Sequence, residues 1–206
     1  MIQRKNIDNP PYYIHNSCVY YVPPKCGFTG IKNSGLSWRY GIPPADKAIV
    51  LSLRDPVQRL ISVYNHHVAQ GGFIRALEQY GEFSMWAEDF GTLWINRWMS
   101  RPNDSAAHFE QFVRTALPDI LSWGADFHWN SISRFIHCAG IEFSPITYID
   151  YKSLPQRLNI SAVGLDVNTG KYDVPAEAYR ILAKAAVKKY YAADLERWQS
   201  FNINTI

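Results

Sequence analysis

Y-Y-V-P-P-K-C-G-F-T-G-I-K-N, from Tyr20 to Asn33, and A-I-V-L-S-L-R-D-P-V-Q-R-L-I-S-V-Y, from Ala48 to Tyr64, are built alike. Each opens as a short β-branched or aromatic strand, breaks at Pro or a charged turn, and runs into a segment that reads as a helix. A strand–loop–helix unit points backbone N–H groups and the positive end of a helix dipole at an anion. Two such units side by side would hold a ligand that carries phosphate at two separate places.

The rest of the chain extends this pattern. Residues 1–16 read as a lead-in arm, Ser17 to Val22 as a buried strand, and Thr29 to about Tyr40 as a short helix and its exit. Gly41-Ile-Pro-Pro44 is a turn, and Ala48 to Leu53 a second buried strand. Val57 to about Gln70 predicts a helix with Val57, Leu60, Ile61, Tyr64 and Val68 on one face, stopped by Gly71-Gly72. Phe73 to Leu121 is aromatic-rich and helical in character, with an apolar stripe of Phe109, Phe112, Val113, Ala116 and Leu117; Trp86, Trp94 and Trp98 fall in a less regular part. His128 to Ala139 predicts an amphipathic helix opened by His128, Pro145 to Asp150 a third strand, and Ala176 to Trp198 the strongest helix of all. Strands alternating with helices predict an α/β fold: one domain over 1–206 with a central parallel sheet flanked by helices.

Bulk properties narrow the function classes. A chain of 206 residues with 47% hydrophobic and 15% aromatic content suits one ordered domain. A net charge of +3 is compatible with an anionic ligand but far from that of a dedicated nucleic-acid binder. No run of about 18 apolar residues predicts a membrane span, and the N-terminal residues lack the apolar core of a signal peptide. Cys18, Cys26 and Cys138 form no C-x-x-C pair and read as reduced thiols. The expectation from these features is a cytoplasmic protein with no metal site.

The two motifs resemble those of the sulfotransferases that use 3'-phosphoadenosine 5'-phosphosulfate (PAPS) and release its desulfonated product, PAP. The likeness favours the carbohydrate (Golgi-type) branch and implies its P-loop-NTPase-like fold. D-F-H-W-N-S-I-S-R-F-I-H-C, from Asp126 to Cys138, is similar to that branch's D-x-H-W segment and the helix after it. I-T-Y-I-D-Y-K-S-L, from Ile146 to Leu154, looks like its next strand, with Asp150 where those enzymes often carry Glu. V-N-T-G-K, from Val167 to Lys171, resembles its late Asn-Thr loop over the nucleotide, and K-K-Y-Y-A-A-D-L-E-R-W, from Lys188 to Trp198, its terminal helix with Tyr-x-x-Asp. Two departures stand out: the sequence shows no membrane anchor or stem, and the stretch between the phosphate motifs is very short.

The resemblance implies a cofactor site of Lys25, Cys26, Gly27, Phe28, Thr29, Gly30, Arg54, Ser62 and Lys171. In it, Arg54 and Ser62, eight residues apart, hold the 3'-phosphate. The residue types suit the chemistry. Arg54 ends a buried strand, where a charge calls for an anionic partner. Sulfuryl transfer needs the partners aligned and the growing charge on the bridging oxygen stabilised. Lys25, the backbone around Gly27 and the Thr29 hydroxyl stand where those needs would be met. The loop is not a Walker A sequence, because its lysine precedes the glycine. Asp55 reads as the helix N-cap with Pro56 at the first helical position, and Arg59 as an i, i+4 partner of Asp55.

Ile31 to Lys47 offers no His or Glu as a catalytic base. Histidine suits the role because its reference pKa lies near neutrality. His128 is the first candidate and His67 the second, with neighbouring His66 beside it; Glu82 and Glu88 are weaker. The expected activity is transfer of a sulfuryl group from PAPS to a hydroxyl of a carbohydrate or glycan-bearing acceptor. The alternatives are a nucleotide-dependent phosphotransferase and a non-catalytic binder of nucleotides or sulfated glycans. Acceptor identity is not written in these motifs.

Overall fold

The computed structural model describes residues 10–28, 31, 34–69, 106–123, 128–160 and 176–203, the side chains of 67, 123, 176–178 and 203 apart. Its centre is a four-stranded sheet, in the order β1 (Tyr12–His15), β2 (Cys18–Tyr21), β3 (Ala48–Leu53) and β4 (Ile146–Asp150). β2, β3 and β4 run parallel, whereas β1 pairs antiparallel with β2. The fold is therefore α/β with a small, mostly parallel open sheet, not the wholly parallel sheet expected.

The extra strand comes from the lead-in arm. Asn16 adopts a left-handed backbone (φ 53) and reverses the chain, so that Tyr12 lies opposite Tyr21 and Tyr13 opposite Tyr20. Burial of Tyr12 and Tyr13 gives these residues a reason to order. Arg39 then bridges Tyr12 on the outer edge of β1. Ile31 is helical and the chain then turns at Ser34-Gly35, where the Ser34 N–H reaches the Ile31 carbonyl, in line with a short helix and its exit.

Seven α-helices are described: α1 (Pro56–Tyr64), α2 (Ala106–Gln111), α3 (Leu117–Trp123), α4 (Ile132–Cys138), α5 (Leu154–Leu158), α6 (Ala176–Tyr190) and α7 (Ala192–Ile203). The Asp55 carboxylate accepts the N–H groups of Val57 (2.7 Å) and Gln58 (3.3 Å), the N-cap expected before Pro56. Three other helix expectations change. The helix after β3 becomes π-helical over Asn65–Ala69. α4 starts at Ile132, with Ser131 as its N-cap, so His128 precedes the helix instead of opening it. The long C-terminal helix divides at Tyr191, whose hydroxyl donates to the Trp129 carbonyl at 2.7 Å.

Two apolar clusters hold these layers together. Sheet residues Val19, Tyr21, Leu51 and Ile149 pack with Ile132, Phe135 and Ile136 of α4 and with Leu154 and Leu158. Leu60, Val63 and Tyr64 of α1 pack with Phe109, Phe112, Leu117, Trp129, Tyr179 and Val187. α1 thus packs on α6, with its N-terminus at the carboxyl end of β3. Among the described residues, no helix is long and apolar enough to cross a membrane.

Candidate functional site

Because β2, β3 and β4 run parallel and in register, their carboxyl ends finish on one edge: Tyr21 lies opposite Leu51, and Leu53 opposite Asp150. The loop after β2, Arg54-Asp55 after β3, and the turn Tyr151–Ser153 after β4 share that edge. Ligands of open α/β sheets collect at such a place.

The loop after β2 is shaped by its own backbone first. The Cys26 N–H donates to the Pro23 carbonyl at 3.0 Å, closing a tight turn whose third residue, Lys25, has φ 66. That left-handed conformation favours glycine and costs another residue about 1–2 kcal/mol. Gly27 follows at φ 96, and its carbonyl accepts the Ile31 N–H at 3.3 Å.

Three side chains then hold the loop by its carbonyls. Arg59 Nε donates to Pro24 O at 3.2 Å, Arg54 Nη1 to Lys25 O at 3.2 Å, and Ser52 Oγ to Cys26 O at 3.0 Å. The described peptide bonds are trans, and a trans peptide points its carbonyl and the next N–H in opposite directions. Drawing the Pro24 carbonyl onto Arg59 and the Cys26 carbonyl onto Ser52 therefore turns the Lys25 N–H away from Arg59 and the Gly27 N–H away from Ser52. The Cys26 N–H between them is spent on the Pro23 carbonyl, and backbone donors turned away from such anchors are the kind an anion can use.

Arg54 makes the second half of the site. Its guanidinium lies 5.1 Å from the centroid of the Tyr151 ring, while its Nε is buried with no hydrogen-bond partner among the described residues. A buried donor with no described partner, on a fixed cation, is one that an acceptor could answer. Ser62 sits half-buried on α1, seven residues beyond Asp55. That offset is about two helical turns, so Ser62 lies on the same side of α1 as the cap.

Other expected site residues take different places. Cys26 is fully buried, and burial pushes its thiol up to about 11 against the opposing pull of Arg59 and Arg54. It is a neutral packing group at neutral pH, contributing through its backbone. The Phe28 ring packs on Trp38 at 4.7 Å, and Trp38 on Tyr13 at 3.8 Å, which braces the loop against β1. His128 lies in the turn before α4, where its carbonyl accepts from Arg59 Nη2 at 3.2 Å. One guanidinium thus ties the His128 backbone to that of Pro24. Trp129 beside it is buried against Phe112. His66 is half-buried in the π-helical turn, and the side chain of His67 lies outside the described residues. Thr29, Gly30, Glu82, Trp86, Glu88, Trp94, Trp98 and Lys171 also lie outside them.

Arg59 is the main residue that the sequence reading misplaced. Its side chain turns inward and is only 5% exposed, and it donates to the Pro24 and His128 carbonyls. The available signal was its position beside Pro56, Leu60 and Val63 on the inward face of α1. Ser52 and Tyr151 were also missed, since each acts on a residue that is distant in the chain. Among the described residues, no three His, Cys, Asp or Glu side chains gather as metal ligands. Compared with family models, curated proteins and solved structures, the chain matches none.

Proposed function

We propose that the protein is a PAPS-dependent sulfotransferase, with the P-loop-like fold of that family, acting on a hydroxyl of a carbohydrate or glycan-bearing acceptor. The observation that carries this reading is a left-handed Lys25 in a carbonyl-anchored loop, beside Arg54, whose buried Nε has no acceptor among the described residues. A lysine kept in a conformation that glycine would adopt at lower cost points to a use for its side chain. The residues present fit a ligand with phosphate at two places. In this reading the Lys25 ammonium and the N–H groups of the loop would hold the phosphosulfate, and Arg54 with Ser62 the 3'-phosphate.

PAPS, when bound, supplies a sulfuryl group that leaves its phosphate as a neutral SO3 unit in an in-line displacement. Lys25 would neutralise the charge left on the bridging oxygen. Arg54, fixed on the Lys25 carbonyl and on Tyr151, would keep the two halves of the site in register. His128 is the first candidate to accept the acceptor's hydroxyl proton, because Arg59 ties its backbone to the loop. His67 remains the second. Cysteines without a disulfide fit a reducing, cytoplasm-like compartment.

Two measurements test the reading. PAP should raise the melting temperature, because it would bind the folded state only, and ATP and NAD should raise it far less. Arg54→Ala should weaken PAP binding by about 2–5 kcal/mol as a buried charge-assisted contact is lost. Equal stabilisation by all three nucleotides, or no transfer of labelled sulfur from PAPS to any of a panel of sugar hydroxyl acceptors, overturns it.

A further inference from the structure

The last helix sits apart from the phosphate loop in sequence, yet two of its neighbouring side chains reach the turn that carries His128. Tyr191, just before α7, is buried and donates to the Trp129 carbonyl at 2.7 Å. Asp194 is 3% exposed and accepts the Ile132 N–H on Oδ2 at 2.8 Å and the Ser133 N–H on Oδ1 at 3.3 Å. Ser131 serves the third N–H of α4, that of Arg134, at 3.0 Å. The first two donors of α4, normally left to water, are thus answered from a helix about 60 residues away in the chain. Arg197 completes the contact, 3.6 Å from Asp194 Oδ1 and donating to Ser133 Oγ at 3.1 Å.

Arg59 reaches the same turn, bonded to the His128 and Pro24 carbonyls. Burial pushes the Asp194 carboxyl up from the ordinary carboxylate range. The Arg59 guanidinium is the first of the groups that draw it back, followed by the two N–H groups and Arg197. The buried cation and the buried anion therefore lie within each other's field, and both bond to the backbone of the His128–Ser133 stretch.

We propose that Tyr191 and Asp194 are positioning residues for the phosphate loop. They fix the turn, the turn fixes Arg59, and Arg59 fixes the Pro24 carbonyl, so that the loop's donors are aimed only while the C-terminal helix is docked. The catalytic meaning of this coupling rests on the sulfotransferase reading; the coupling itself does not. A Tyr-x-x-Asp pair at the end of the chain would then govern an anion site near its beginning without touching the ligand.

Amide hydrogen exchange on the ligand-free full chain tests the coupling in Asp194→Ala and Tyr191→Phe. Exchange at the Ile132 and Ser133 N–H groups should rise roughly 10- to 100-fold in Asp194→Ala, the loss expected for bonds to a charged acceptor. The Cys26 and Ile31 N–H groups of the loop should rise with them, while Val50 and Leu51 in β3 keep their native rates. A rise confined to Ile132 and Ser133 overturns the proposal, and so does a uniform rise that includes β3, which would report lost global stability alone. Should Asp194→Ala fail to fold, Tyr191→Phe removes a single hydroxyl, and the loop and β3 amides decide by the same criterion. PAP affinity, measured in parallel, should fall about tenfold or more in either variant. Loosening of the loop in a protein whose native form does not bind PAP would uphold the coupling and sink the sulfotransferase reading.

Discussion

Replacing Arg59 separates two accounts of the same residue by the size of the effect. As a surface partner of Asp55 at i, i+4, Arg59 would contribute about 0.3–0.5 kcal/mol. As the structure has it, Arg59 is 5% exposed and donates to Pro24 O and His128 O, both at 3.2 Å. Hydrogen bonds from a charged donor contribute about 1.5–3 kcal/mol each, and two carbonyls lose their donor together. Breaking a buried charged contact by removing one side costs about 3–5 kcal/mol. Arg59→Met, which keeps much of the side-chain volume, should therefore destabilise the chain by about 3 kcal/mol or more. At roughly 2–4 °C per kcal/mol for a chain of this size, the melting temperature should fall by about 6–12 °C. Urea denaturation followed by circular dichroism, with the thermal midpoint beside it, would read both numbers. Arg59→Lys should recover only part of the loss, because a compact ammonium cannot span two carbonyls as a planar fork does. A loss under about 1 kcal/mol in a cooperatively folded Arg59→Met would refute the assignment of Arg59 as the strut between the loop and the His128 turn.

Two further outcomes follow from the same geometry. Lys25→Gly should leave stability nearly unchanged, since relief of a left-handed lysine, about 1–2 kcal/mol, is offset by the greater chain entropy of glycine, about 0.4–1 kcal/mol. The same variant should cut sulfuryl transfer about 100-fold or more, and a stable Lys25→Gly with native turnover would show that the side chain has no part in the chemistry. His108 predicts an acid limb: its Nδ1 lies 2.6 Å from the hydroxyl of fully buried Tyr64, and burial lowers its pKa from the usual value near 6.5. A folded value below the unfolded one gives stability that is complete above about pH 6.5 and is lost as pH falls toward the folded value. His108→Phe should flatten the dependence of the melting temperature below about pH 6.5, and an unchanged slope would assign the limb to another group.

The parts of the fold that were legible in the sequence are those whose cause is local. A-I-V-L-S-L and I-T-Y-I-D are short β-branched runs bounded by turn residues, and they form β3 and β4. Asp55-Pro56 starts α1 because both the cap bond and the proline ring act within three residues. The misreadings have long-range causes. Tyr12–His15 is too short to announce a strand and becomes one only by pairing with β2 and burying its tyrosines. The pattern of Ala176 to Trp198 stays helical across Tyr191, and the division there coincides with a hydroxyl bond to Trp129, 62 positions away. Arg59 looked like a partner for Asp55 because its true partners lie 35 and 69 positions away.

That distribution has a physical logic at the candidate site. Lys25, Gly27 and Arg54 could be singled out because a ligand-facing group must be of a particular type, and type is visible in a sequence. What aims them is less visible, because the aiming is done on main-chain carbonyls that every residue carries. Ser52, Arg54, Arg59 and Tyr191 each donate to a carbonyl in one of two loops, Pro24–Cys26 or His128–Trp129. Each such bond fixes a peptide plane, and with it the direction of the N–H on the plane's other side. A loop held this way presents its donors without further reorganisation when an anion arrives, which is how fixed dipoles stabilise developing charge most effectively. The cost lies in the folded state, where Lys25 sits in a left-handed conformation and Arg54 Nε has no acceptor among the described residues. In the proposed reading both costs fall on residues that an anion would repay.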